Sequence, residues 1–221
     1  DRGKLIAACG AGKTLVALWS TEAMGAKNVL FLAPSLALIK QTLEAWVRHT
    51  NHKFSYLCVC SDKTVVSEVN PDSGDYEISE VDFPVTTDPE IVKTFLNSQS
   101  EHKYVFVTYN SAFVVSEALK GGSFGFDLGI FDEAHRTAGQ KDTDMFAVAL
   151  YDKGIKINKR LFMTATERLI SPRIKRKAKK ANRTIFSMDD KKVYGPQFDR
   201  YSFGEAIKDN VISDYKIILT A

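Results

Sequence analysis

The chain has 221 residues, 44% of them hydrophobic and 26% charged, with a formal net charge of +3. That apolar fraction suits a globular protein with a buried core, and the mild charge does not by itself imply a polyanionic partner. No apolar run approaches the ~18 residues that cross a bilayer, no secretory leader opens the chain, and the three cysteines have no disulfide-framework spacing, which together point to a cytosolic, reducing setting without a membrane.

The chain starts abruptly. Asp1-Arg2-Gly3-Lys4 leads straight into an apolar run, as expected of a cut inside a longer protein. Leu5 to Cys9 reads as a short buried strand, followed by helical character over Lys13 to Met24 that ends at Gly25. Asn28 to Ala33 is a second strand, closed by Pro34. Ser35 then has the position of an N-cap for a helix to about His49, with Leu36, Ile39, Leu43 and Trp46 on one face. Further strands are expected over Phe54 to Cys60, Lys103 to Thr108, Asp127 to Phe131 and Arg160 to Met163. Helices are expected over Pro89 to Leu96, Ser111 to Leu119 and Thr143 to Leu150. Continuous rather than alternating apolar strands, separated by helices, predict an α/β fold whose mainly parallel sheet is covered by helices on both faces. Ser61 to Thr87 is polar and acidic and reads as an irregular surface insertion. From Arg168 to Arg183, eight basic residues follow one another with no acid among them. Such a run is either a solvated helix face or loop, or a guide for a phosphate backbone. Phe198 to Ile212 reads as a connector and Tyr215 to Leu219 as a last strand.

Two clusters carry chemistry. Ala7-Ala8-Cys9-Gly10-Ala11-Gly12-Lys13-Thr14 lies between a strand and a helix, where a phosphate-cradling P-loop belongs. Glycines let backbone N–H groups turn inward, and the helix adds its positive N-terminal end. Gly10, Ala11, Gly12, Lys13 and Thr14 would then hold a nucleotide. Lys13 would reach its β- and γ-phosphates, and Thr14 its Mg²⁺. The strict signature has glycine where this chain has Ala7. The second cluster is Asp132-Glu133-Ala134-His135, after the apolar strand Phe126 to Phe131. At such a strand tip Asp132 can hold Mg²⁺, and Glu133 can orient and deprotonate an attacking water. Phosphoryl transfer to water asks for both, so the catalytic candidates are Lys13, Asp132 and Glu133.

Asp-Glu-Ala-His is the motif of the DEAH-box branch of helicase superfamily two, whose first motif also commonly begins with alanine. Leu161-Phe162-Met163-Thr164-Ala165-Thr166 resembles that family's third motif, and the three motifs occur in the family's order. The resemblance covers about Gly3 to Thr166. It implies a first RecA-like P-loop NTPase domain, an ATP–Mg²⁺ cofactor set, and a nucleic-acid-dependent ATPase activity, helicase or translocase. It also implies that His135, Thr164 and Thr166 couple the nucleotide to a nucleic-acid site. Phe131 to Gly139, and more vaguely Tyr201 to Ile207 with Ser213 to Lys216, resemble bacterial and phage helicase-like proteins and restriction-system motor subunits. Ala33-Pro34-Ser35-Leu36 resembles the family's motif Ia, which contacts a strand backbone, and Thr108-Tyr109-Asn110-Ser111 is placed similarly. Pro34, Ser35, Thr108 and Tyr109 are therefore nucleic-acid candidates, with plain helix capping as the other reading. The resemblance favours DNA over RNA as the partner, with an RNA helicase motor as the alternative.

The resemblance further implies a second RecA-like domain that supplies arginine fingers. No segment here matches one, so residues 1–188 are expected to form the ATP-binding domain and 189–221 a connector toward the second. A nucleotide-binding scaffold that does not hydrolyse is the competing reading. Cys58, Cys60, His49 and His52 lack metal-ligand regularity and read as two buried thiols and two surface imidazoles, while Trp19 and Trp46 read as packing residues.

Overall fold

A computed structural model of the chain describes residues 1–60, 84–140, 147–181 and 183–214. Strand β1 (Arg2–Ala7) leads into helix α1 (Lys13–Ala23). β2 (Asn28–Ala33) leads into α2 (Leu36–His49), and β3 (Ser55–Val59) and β4 (Val85–Thr86) precede α3 (Pro89–Leu96). β5 (Lys103–Thr108) precedes α4 (Ala112–Ala118), and β6 (Phe126–Phe131) runs into a 3-10 turn (Ala134–Thr137) and β7 (Gly139–Gln140). Then come β8 (Ile157–Thr164), α5 (Pro172–Lys180), β9 (Ile185–Phe186), α6 (Lys191–Tyr194), β10 (Gln197–Tyr201) and α7 (Phe203–Lys208).

Eight strands form one sheet in the order β10-β1-β8-β6-β2-β5-β3-β4. Every pairing in it is parallel. Parallel strands need crossovers, and side chains alternate across the sheet, so each strand feeds two cores. Val29, Phe31 and Ala33 face one core with Leu18, Ile39 and Trp46. Leu30 and Leu32 face the other with Val92, Val115 and Phe162. This double burial is why the central strands are apolar throughout.

Helix ends follow local chemistry. Ser35 accepts from the N–H of Leu38, and Asp88 from that of Glu90 just before Pro89. Trp46 is fully buried, edge-on to Phe31 and Phe106 at 5.5 Å. Its indole Nε1 donates to the carbonyl of Thr14 at 3.0 Å, so α2 anchors the first turn of α1.

Several expectations are corrected. The first strand begins at Arg2 rather than Leu5, because Gly3 and Lys4 already pair with Leu161 and Phe162 of β8. The end of the expected insertion, Val85–Thr86, joins the sheet beside β3; residues 61–83 lie outside the described residues. Of the helix expected over Thr143 to Leu150, only a 3-10 turn at Val148–Leu150 is described. The expected strand from Tyr215 to Leu219 lies outside the described residues. Trp19 is not a packing residue: half of its surface is exposed, since α1 turns Ala17, Leu18 and Thr21 inward instead. His52 is no surface imidazole, as its ring lies 4.1 Å from that of His102 and its Nε2 is 2.8 Å from the Tyr104 hydroxyl. Cys58 and Cys60 are buried, and burial beside Cys60 pushes the Cys58 thiol up to about 12. No group of three or more His, Cys, Asp or Glu side chains placed to share a metal ion is found among the described residues.

Within the stretch from Phe198 to Ile212, β10 pairs with β1, and the N–H of Ala8 donates to the carbonyl of Tyr201 at 3.0 Å. Gly195 makes that junction possible. Its φ is +73°, and a Cβ there would collide with the carbonyl of Arg2.

Candidate active site

The C-terminal ends of β1, β8, β6 and β2 lie side by side at one edge of the sheet, and each motif hangs from one of them. The loop after β1 bends through Gly10 (φ +78°) and Gly12 (φ +82°), both left-handed and readily adopted only by glycine. Gly12 is the N-cap of α1, and no side chain caps that helix. Unlike α2, α3, α6 and α7, and like α4 and α5, α1 has no side-chain cap, and its first turn is free for an external anion. Lys13 is nearly buried, and its Nζ donates to the carbonyls of Ala7 and Ala8 at 3.2 Å. The amine thus lies folded along the loop it would share with a phosphate.

Two strands away, β6 delivers Asp132. Its N–H donates to the Leu32 carbonyl at 2.9 Å, and its own carbonyl accepts from the Tyr109 hydroxyl at 2.7 Å. Burial, reinforced by the neighbouring Glu133, pushes the Asp132 carboxyl up to about 6. A half-buried carboxylate with no ion-pair partner among the described residues, close enough to Lys13 to feel its charge, is a fit for a divalent cation beside a phosphate. Glu133 then adopts φ 47°, ψ 47°, a left-handed conformation that costs a non-glycine residue about 1–3 kcal/mol. The reversal throws the chain into the turn Ala134–Thr137 and brings His135 back over the site.

His135 is the junction of the cluster. Its Nδ1 lies 3.2 Å from Glu133 Oε2 and 3.0 Å from Thr164 Oγ1 at the tip of β8. The Thr164 hydroxyl donates to the Thr166 carbonyl at 2.9 Å, so its oxygen accepts from His135, and Nδ1 carries the proton. His135, Thr164 and Thr166 form one hydrogen-bonded chain, and the Glu133 carboxylate lies 3.2 Å from the same imidazole nitrogen.

The nucleic-acid candidates divide. Pro34 and Ser35 are partly exposed at the end of β2, and the Ser35 hydroxyl already caps α2. Thr108 and Tyr109 are buried, at 0 and 3% exposure. Thr108 bonds the Ser111 hydroxyl at 2.9 Å. The Tyr109 ring is an internal strut holding Asp132, because β5 ends beneath the DEAH turn. Sequence reasoning missed that role; a tyrosine right after a buried strand is the signal that pointed to it.

Asp132→Asn follows from the carboxyl's displacement. A folded-state value above the unfolded value of 3.8 means that ionisation works against folding. The penalty is absent below about pH 4, grows through about pH 6 and is complete above it, reaching at most about 3 kcal/mol. The substitution keeps the shape of the side chain without its charge. The variant is expected to match the wild type in melting temperature near pH 4 and to exceed it by several degrees at pH 7.5. Scanning calorimetry across that range checks it; equal melting curves at pH 7.5 would refute the assignment.

Comparison with known proteins agrees with this geometry. The sequence profile of the family described as "Type III restriction enzyme, res subunit" matches residues 1–169. A "Probable helicase A859L" of African swine fever virus (isolate Pig/Kenya/KEN-50/1950) is 29% identical over 220 residues. That covers 100% of this chain and 22% of the relative. The chain thus spans about a fifth of the length of the curated relatives it matches. Among solved structures, the "ATP-dependent Type ISP restriction-modification enzyme LlaBIII bound to DNA" is 34% identical, with a TM-score of 0.77 over 98% of this chain and 14% of that one. A nuclease-deletion mutant of the Type ISP enzyme LlaGI in complex with a DNA substrate mimic is 32% identical, with a TM-score of 0.69 over 96% of this chain and 19% of that one. With the phosphate loop, the acidic turn and the third motif on adjacent strand tips of a RecA-like sheet, the chain belongs to the Type III restriction enzyme res subunit family, as a first RecA-like, helicase-type motor domain of superfamily two.

Proposed function

We propose that this domain binds ATP with Mg²⁺ and hydrolyses it to ADP and phosphate as part of a motor that acts on DNA. The observation that carries the reading is the uncapped α1 beside a half-buried Asp132 that has no ion-pair partner among the described residues. Gly10, Ala11 and Gly12 with the first turn of α1 cradle the phosphates. Lys13 turns from the Ala7 and Ala8 carbonyls to the β- and γ-phosphates. Thr14 and Asp132 would hold the Mg²⁺, which supplies charge neutralisation at the phosphates. Glu133 orients water and takes its proton, and His135 carries the state of Glu133 to Thr164 and Thr166. Pro34 and Ser35, beside the N-terminus of α2, contact a strand backbone.

The preference for DNA draws on the DNA-bound Type ISP enzymes to which the chain is similar. The motor is completed by a second RecA-like domain that contributes an arginine worth on the order of a thousandfold in rate, with the residues after β10 leading toward it. The 221-residue chain alone therefore turns over slowly. The reducing interior of a cell is the setting we assign it.

Calorimetry with ATP and Mg²⁺ tests the reading. The full-length protein is expected to bind in the micromolar range, and Lys13→Ala to weaken binding at least about a hundredfold, since a charged phosphate contact is lost. Equal affinity in the two proteins would remove the phosphate loop from the proposal. In the same preparation, hydrolysis that does not respond to DNA would remove the motor.

A further inference from the structure

The basic run becomes a helix with almost no buried face. Along α5, only Ala178 is buried. A helix that is polar nearly all round is stabilised by something other than its own packing. Eight of the 30 Lys and Arg residues and none of the 27 acids lie between positions 168 and 183. The other 205 residues hold 22 basic against 27 acidic side chains, a formal charge of −5 in a chain whose total is +3. The positive charge of the protein is thus gathered here.

Its arrangement is regular. Arg173, Arg176, Lys177 and Lys180 recur at i, i+3, i+4 and i+7, a stripe opposite Ala178 that runs about 10 Å along the axis. That length matches the rise of about three nucleotides of a strand. Beside the stripe, a groove of about 350 Å³ is lined by Lys175, Ala178, Lys179, Arg183, Thr184 and Ile185, with no carboxylate. Among the described residues only Lys175 of this set has an acidic partner, Asp189 at 2.8 Å. Lys179 and Arg183 bring uncompensated charge to a concave surface.

The helix also stands next to the motor chemistry. It follows the third motif directly, and β9, at its far end, pairs antiparallel with β7, the strand immediately after the DEAH turn. A load on α5 therefore pulls on both segments that meet at His135.

We infer that α5 and the groove beside β9 form a phosphodiester-backbone contact, separate from the end of β2, that grips nucleic acid without reading its sequence. The inference rests on the motor reading above. Charge complementarity selects this occupant: the exposed stripe is cationic rather than apolar, and Arg and Lys without acidic partners suit phosphates.

The test uses the full-length protein and a variant carrying Arg173→Gln, Arg176→Gln, Lys179→Gln and Arg183→Gln. Glutamine keeps helix propensity, and these residues are exposed, so folding is preserved; a fourfold Arg/Lys exchange at the same positions serves as the charge-retaining control. Affinity for a 30-base-pair duplex of arbitrary sequence is measured against salt, together with ATP affinity and turnover. The expected results are a Kd raised at least tenfold at about 0.1 M salt and a log–log salt slope shallower by about two to four. ATP affinity and turnover at saturating DNA stay unchanged, and the charge-retaining control behaves as wild type. A glutamine variant with wild-type Kd and slope overturns the inference and leaves an acidic protein surface as the partner of α5. Failure of the wild-type protein itself to bind nucleic acid overturns the motor reading, and this inference with it.

Discussion

Glu133→Gln in the full-length protein is expected to leave ATP–Mg²⁺ affinity within about twofold while lowering turnover by a hundredfold or more, the range of a lost general base. The side chain keeps its size and its place in the left-handed turn, but glutamine cannot accept the proton of water. The variant also loses the charge that faces His135 Nδ1 at 3.2 Å, so the relay to Thr164 loses one anchor. DNA-stimulated hydrolysis and calorimetry on one preparation measure both quantities. Turnover that survives the substitution would remove Glu133 from the base role. A wild type with no turnover to lose would favour a scaffold that binds nucleotide without hydrolysing it.

Arg160→Met is expected to destabilise the domain by about 3–5 kcal/mol, the cost of removing a buried charged donor from its acceptors. Arg160 is 4% exposed in the middle of the sheet, on β8. Its Nε donates to the Ala149 carbonyl, Nη1 to Ile157 and Nη2 to Ile155, at 2.9 to 3.1 Å, and Nη2 pairs with Asp152 Oδ1 at 2.7 Å. Methionine fills part of the volume and satisfies none of the three carbonyls. Lysine has one nitrogen for three separate acceptors and is expected to recover only part of the loss. Denaturant unfolding of the wild type and both variants measures the effect. A loss below about 1 kcal/mol for methionine would mean that water replaces the guanidinium.

The elements that were legible in the sequence share a physical property. β2, β5, α2 and α3 are bounded by their own residues: an apolar run, a capping Ser35 or Asp88, a proline. Their limits hold because local chemistry and burial agree. In the sequence β10 reads as connector because Gln197-Phe198-Asp199-Arg200 is mostly polar. An edge strand has one ladder and little core, so nothing in its composition separates it from a loop. Its partner is β1, nearly two hundred residues away in the chain. The role of Tyr109 is hidden for a related reason: its position beneath Asp132 depends on β5 and β6 flanking β2, which no local pattern encodes.

The sequence alone determined the chemistry available to this protein: the glycines and lysine of the phosphate loop, the two carboxylates, the threonines of the third motif, and their order between apolar strands. These are covalent facts, read from residue types whose pKa values, donors and backbone freedom are intrinsic. The tertiary structure decided what those groups do to one another. Strand order set β8 between β1 and β6, so that Thr164 and His135, 29 residues apart, share a hydrogen bond. Burial raised the Asp132 carboxyl, and packing left α5 without a core. Long-range strand pairing and desolvation act on distances through space, and only the folded chain fixes those distances.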